Sequence, residues 1–186
     1  MVMQAAVVTP RDILAFWFDE LTPKQHFTRD PALDAMLRER FGALHAAAAR
    51  GELYAWRDDA DGRLAEVIVL DQFSRNLFRG DARAFASDAM SLVLAQEAIR
   101  TGADRQLPAT RRAFLYMPFM HSESTVIHTA AVQLFSQPGL ENNLKFEHAH
   151  KAIIDRFGRY PHRNAALGRT STAEEIAFLA GPGSSF

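Results

Sequence analysis

The chain contains no cysteine. That single absence removes a disulfide framework, a thiolate metal site and a cysteine nucleophile, and it permits a reducing compartment. An excess of one charge is missing as well: 21 Lys and Arg stand against 22 Asp and Glu, for a formal net charge of -1 and a pI near 6.7. This balance argues against a broad electrostatic footprint for nucleic acid or an anionic membrane. No stretch reaches the roughly eighteen uninterrupted apolar residues of a membrane span, and the start, MVMQAAVVTP, lacks the basic region and the apolar length of a signal peptide. The expectation is a soluble, cytoplasmic protein. Phosphate loops of the G-x-x-x-x-G-K type, G-x-S-x-G elbows and H-E-x-x-H are also missing, which excludes nucleotide hydrolase and serine-hydrolase readings and the commonest zinc signature. No aligned repeat of about 30 to 45 residues is visible.

What is present is a core-forming composition, 48% hydrophobic over 186 residues. That is enough for one domain spanning 1–186, with 1–8 and 182–186 expected as mobile ends. Helix signals recur. Thr9, Pro10 and Asp12 read as an N-terminus, and Asp30 with Pro31 repeats the pattern before a face of Leu33, Leu37, Phe41, Leu44 and Ala48 that ends at Arg50 and Gly51. A third helix, from Arg63 to about Phe78, is apolar on every side at Val67 to Leu70. Its β-branching suits a strand, but Asp71, Arg75 and Arg79 at four-residue steps favour a buried helix. An unpaired charge at Asp71 would be costly there, so Arg75 or an arginine of a later loop is expected beside it.

Gly80 and Asp81 close that helix and open the next, with an apolar face of Phe85, Ala89, Leu92, Val93 and Ile99. Pro108 opens a fifth helix that Pro118 should kink or finish. Val126 to Leu134 forms a sixth. In the seventh, Phe146, Ala149, His150, Ile153, Ile154 and Phe157 mark the inward face, and Gly158 and Pro161 end it. Ser171 and Glu174 resemble a capping box for a short last helix. About eight helices without a strand pattern give an all-α fold.

The loop after Gly158 is basic. Arg156, Arg159, Arg163, Arg169 and His162 meet only Asp155, and such a loop needs a partner.

Three segments, LDQFSRNLFRG (70–80), YMPFMHSES (116–124) and HKAIIDRFGRYPHRNAALGRTSTAEE (150–175), together resemble domain-of-unknown-function family 924, from about Ile13 onward. The resemblance implies antiparallel helix hairpins in a tetratricopeptide-like right-handed array. It also implies that the family's recurrent polar positions fall here at Asp71, Gln72, Arg75, Asn76, Arg79, His121, Glu123, His150, Arg159, His162, Arg163, Asn164 and Arg169. It brings no activity.

Three functions compete for these residues. In the first they form a buried network, with Asp71 and Glu123 satisfying Arg75, Arg159 or Arg163, and His150 bonded to a carbonyl. In the second, Arg75, Arg79, Arg159, Arg163 and Arg169 outnumber Asp71 and Glu123, and the surplus, with His162 and Asn164, binds a small anionic ligand or an acidic peptide. In the third, His121, Glu123, His150 and His162 supply a general acid and base of a hydrolase. The spacing matches no established metal signature, and no cofactor or metal is expected.

Overall fold

The computed structural model describes residues 8–184. Its helices are α1 (Pro10–Ala15), extended by a π-helical turn at Phe16–Glu20; α2 (Pro31–Ala49); α3 (Ala60–Ile68), which passes through a π-helical turn at Val69–Phe73 into α4 (Ser74–Leu77); α5 (Asp88–Arg100); α6 (Ala109–Met120); α7 (Thr125–Phe135); α8 (Glu141–Phe157); and α9 (Ala173–Leu179). With α3 and α4 taken as one continuous helix, the described residues hold eight helices and no strand. None of them is long and apolar enough to cross a membrane.

The helix starts follow local chemistry. Thr9 and Asp12 close a capping box, the Thr9 amide donating to Asp12 at 2.8 Å. Asp30 accepts from the amides of Ala32 and Leu33. Both satisfy donors that a helix leaves open at its N-terminus.

The core forms around two helices that are buried on nearly all sides toward their C-terminal ends, with the buried Glu66 of α3 held by Arg57. In α3 and its π turn, Leu64, Ala65, Val67, Ile68, Val69 and Leu70 are all fully buried. In α6 every residue from Ala113 to Met120 is buried. Helix α3 packs on α1, α5 and α6, and α7 lies between α6 and α8. Pro118 sits inside the last turn of α6, which ends two residues on at Met120. A second, small core of Ile153, Ile154 and Tyr160, with Phe157 and Phe178 against it, lies beneath α8 and α9.

Four expectations shift. Asp81 caps a 3-10 turn, Ala82–Phe85, and α5 begins only at Asp88. Its buried side chains are the small Ser91, Ala95 and Ala98, while Val93 stays exposed, because small residues let α5 approach its neighbours closely. On α8, Phe146 is half exposed and Glu147 is fully buried, rotated inward by a histidine of α7. The last capping box is Thr172 with Glu175, one residue beyond the expected pair. Of the expected mobile ends, 1–7 and 185–186 lie outside the described residues; Val8 packs on the main core and Ser184 is buried, its hydroxyl donating to the Leu179 carbonyl at 3.2 Å.

Candidate functional site

The site begins in the π turn of α3. The wider turn carries Asp71 at the end of the apolar run, where its side chain is 1% exposed. One carboxylate oxygen accepts from His121 Nδ1 at 2.8 Å and stands 3.2 Å from Arg75 Nη1, while the other accepts from Gln72 Nε2 at 2.7 Å. Burial pushes the Asp71 carboxyl up, but Arg75 and the bonds from His121 and Gln72 outweigh it and hold the group well below the usual carboxylate range. Asp71 is therefore an anion that can only accept, which fixes the proton of His121 on Nδ1 and leaves Nε2 with a lone pair. Burial and the nearby Arg75 pull His121 below its ordinary value, so the neutral ring is the resting form.

Arg75 extends the network outward. It donates to the Asp71 carbonyl at 2.8 Å and forks onto Asp88 at 3.0 and 3.1 Å. From the far end of the chain Arg163 reaches the same Asp88 at 3.1 Å and the His121 carbonyl at 2.9 Å. Its guanidinium lies 4.6 Å from the ring centres of both Phe85 and Tyr160, a stacked geometry that suits arginine and not lysine.

The loop after α8 is held in place by a second pair. The αL conformation of Gly158, φ 68°, turns the chain. The Tyr160 amide then donates to Glu123 at 2.7 Å, and Arg169 clamps Glu123 with bonds of 2.7 and 2.9 Å. Arg169 also donates to the Tyr160 carbonyl and to Asn164 Oδ1. The Tyr160 ring is buried among His128, His150 and His162. Burial lowers His150 to about 3 and His162 to about 4. His150 Nδ1 donates to the Phe146 carbonyl at 2.8 Å, the carbonyl bond expected for it.

Not all the expected residues converge. Asp71, Arg75, His121, Arg163 and, through the Tyr160 loop, Glu123, Arg169, His150 and His162 belong to one network. Asn76 and Arg79 turn instead to Asp34 of α2, at 2.8 Å and at 2.8 and 2.9 Å. Arg159 forks onto Glu175 at 2.7 and 2.9 Å, and Asn164 bridges the two groups, accepting from Arg169 while it donates to Ser171 and Glu175.

The charge count changes accordingly. Asp34, Asp88 and Glu175 join Asp71 and Glu123, so each of Arg75, Arg79, Arg159, Arg163 and Arg169 has a carboxylate partner. Glu123 pairs with Arg169 in place of Arg159 or Arg163.

Two further residues were invisible to motif reading. His128 and Glu147 are both 0% exposed and share a 2.6 Å bond. His128 Nε2 faces the Ser122 carbonyl at 2.8 Å, which can only accept, so the pair as a whole holds one shared proton and no net charge. The signal was their spacing: His128, Ala131 and Phe135, like Glu147, His150 and Ile154, recur at the three- and four-residue steps of an inward face. Asp88 falls inside the expected fourth helix and carries no motif in the sequence.

Two cavities open elsewhere. One of about 480 Å³ lies between α7 and α8 at Thr129, Val132 and Lys151. The other, of about 620 Å³, lies at Leu14, Asp61 and Arg111. No group of three or more His, Asp or Glu among the described residues is placed to hold a metal ion.

Comparison with known proteins gives two matches. Residues 13–183 match the model of a family described as bacterial protein of unknown function (DUF924). The solved structure of a protein of unknown function, ATU0120 from Agrobacterium tumefaciens, is similar at 40% identity over 91% of this chain and 96% of that one, with a TM-score of 0.86. No curated protein matches.

Proposed function

The chain belongs to this bacterial family of unknown function, and from the geometry of its polar network we propose that it binds a small anionic ligand, a carboxylate or a phosphate, at the edge formed by Arg75, Asp88, Arg163 and His121. The observation that carries this reading is that two guanidinium groups, from positions distant in sequence, meet on one carboxylate that is itself 20% exposed. Arg75 also pairs with the buried Asp71 on its inner side, and Asp88 is the carboxylate that the two guanidinium groups share at the edge. Planar guanidinium groups suit bidentate recognition of a second one. Glu123 and Arg169 hold the loop that delivers Arg163, while Asn76, Arg79 and Arg159 serve neighbouring helix contacts. The packing of α6 on α7 and of α7 on α8 supports successive helices stacking as hairpins, and we read the whole as a tetratricopeptide-like right-handed array. The lack of cysteine supports a cytoplasmic setting.

Isothermal titration against phosphorylated and carboxylated metabolites tests the reading. Saturable heat is expected for at least one of them, lost in Arg163→Ala and kept in Arg79→Ala, with melting of the ligand-free variants as the folding control. No heat from any compound in the panel refutes it.

A further inference from the structure

One imidazole in the network is both fixed and reachable. His121 Nδ1 is committed to Asp71, which is held in turn by Gln72 and Arg75 and is 1% exposed. Its Nε2 makes no hydrogen bond among the described residues, and the side chain is 17% exposed. A buried carboxylate that orients an imidazole and leaves the far nitrogen as a base is the arrangement that general acid–base chemistry requires.

The other candidates fail this test. His45 and Ser74 lie 2.7 Å apart, but the Ser74 hydroxyl donates to the Leu70 carbonyl, so His45 donates to Ser74 and offers it no lone pair; Ser74 is also fully buried. In the His128–Glu147 pair both ring nitrogens are bonded and neither side chain reaches solvent. In the cavity at Leu14, Asp61 and Arg111 are already paired with each other.

We propose that Asp71 and His121 form an acid–base dyad and that the protein hydrolyses a carboxylic ester bearing a second, free carboxylate. The dyad rests on its own geometry; the anionic substrate class rests on the ligand-binding reading above. His121 Nε2 takes a proton from water while the water oxygen bonds to the ester carbonyl carbon and the carbonyl electron pair moves onto its oxygen. As that pair returns, the carbon–oxygen bond to the alcohol breaks and the departing oxygen takes the proton back from His121. Acid and alcohol leave, and the neutral imidazole is restored. Asp71 is a positioning residue. It fixes the tautomer and faces the imidazolium, together with Asp88 and against Arg75, and the rings of His150 and His162 lie within electrostatic reach.

Two measurements on the full chain decide the matter. With the para-nitrophenyl monoester of succinic acid as probe, wild type should exceed both His121→Gln and Asp71→Asn in kcat/KM by about a hundredfold, the scale of general acid–base assistance. It should also favour that ester over para-nitrophenyl acetate. Wild type no faster than His121→Gln on either ester overturns the dyad; equal, His121-dependent hydrolysis of the two overturns the anionic substrate class alone. The second readout is carbethoxylation of each histidine by diethyl pyrocarbonate, located by peptide mass spectrometry, with the exposed His148 as internal reference. An Asn at position 71 removes the carboxylate whose charge holds the His121 proton on Nδ1 and makes Nε2 electron-rich. Modification of His121 should therefore be ready in wild type and drop at least tenfold in Asp71→Asn, while His148 is unchanged; an unmodified His121 in wild type, or equal rates in the two proteins, refutes the assignment. Failure of the anion reading shows instead as absent heat in the titration, with His121 reactivity intact.

Discussion

His128 and Glu147 show how much of the architecture can depend on one pair of side chains. Both are inaccessible, and they join α7 to α8 through a 2.6 Å bond. Burial raises the Glu147 carboxyl, and the hydrogen bond from His128 opposes that rise. Truncation of one member leaves the other buried without its partner, a change that typically costs about 3–5 kcal/mol. Urea unfolding of His128→Ala should show a loss on that scale. Glu147→Gln keeps the volume and a hydrogen-bonding group, and its loss should be clearly smaller. Arg163→Lys makes a related point: lysine keeps the charge but neither the fork nor the planar face stacked between Phe85 and Tyr160. Its ligand heat should fall nearly as far as that of Arg163→Ala.

Helix boundaries divide into those set by local chemistry and those set by packing. The starts at Thr9 and Asp30, the stop at Gly158 and the all-round burial of α3 were legible, because caps, a left-handed glycine and an unbroken apolar run act over a few residues. The true start of α5 and the inward turn of Glu147 were not. Both depend on a partner distant in sequence, Arg75 and Arg163 for Asp88 and His128 for Glu147, and no local pattern encodes that distance. Motif reading likewise gathered most of the polar network but overstated its positive charge, because Asp34 and Asp88 lie in stretches that carry no motif and Glu175, at the end of the third segment, was not among its recurrent polar positions. Gly158→Ala isolates one local signal. A Cβ there meets nothing within 4 Å, so only the left-handed backbone, φ 68°, opposes it. The expected cost is about 1 kcal/mol by denaturant titration, since αL costs a non-glycine residue roughly 1–3 kcal/mol.

At the level of the whole molecule, the buried histidines set an acid limit. Burial holds His150 at about 3 and His162 at about 4, against an ordinary 6.5. Between those values the unfolded chain binds protons that the folded chain refuses, so stability is complete above pH ~6.5 and declines as the pH falls toward ~4. Asp71, with its folded value depressed, adds a further loss only below its unfolded value of 3.8. Urea midpoints should therefore begin to fall near pH ~6.5, well before the carboxylates titrate. His162→Gln should flatten that limb by about one proton, or about 1.4 kcal/mol per pH unit; an unchanged limb would show that His162 titrates freely. Arg163 also carries a consequence for synthesis. Asp88 leaves the ribosome long before the arginine that completes its coordination, so a nascent chain can assemble its central helices while the edge at Asp88 still waits for the last quarter of the polypeptide.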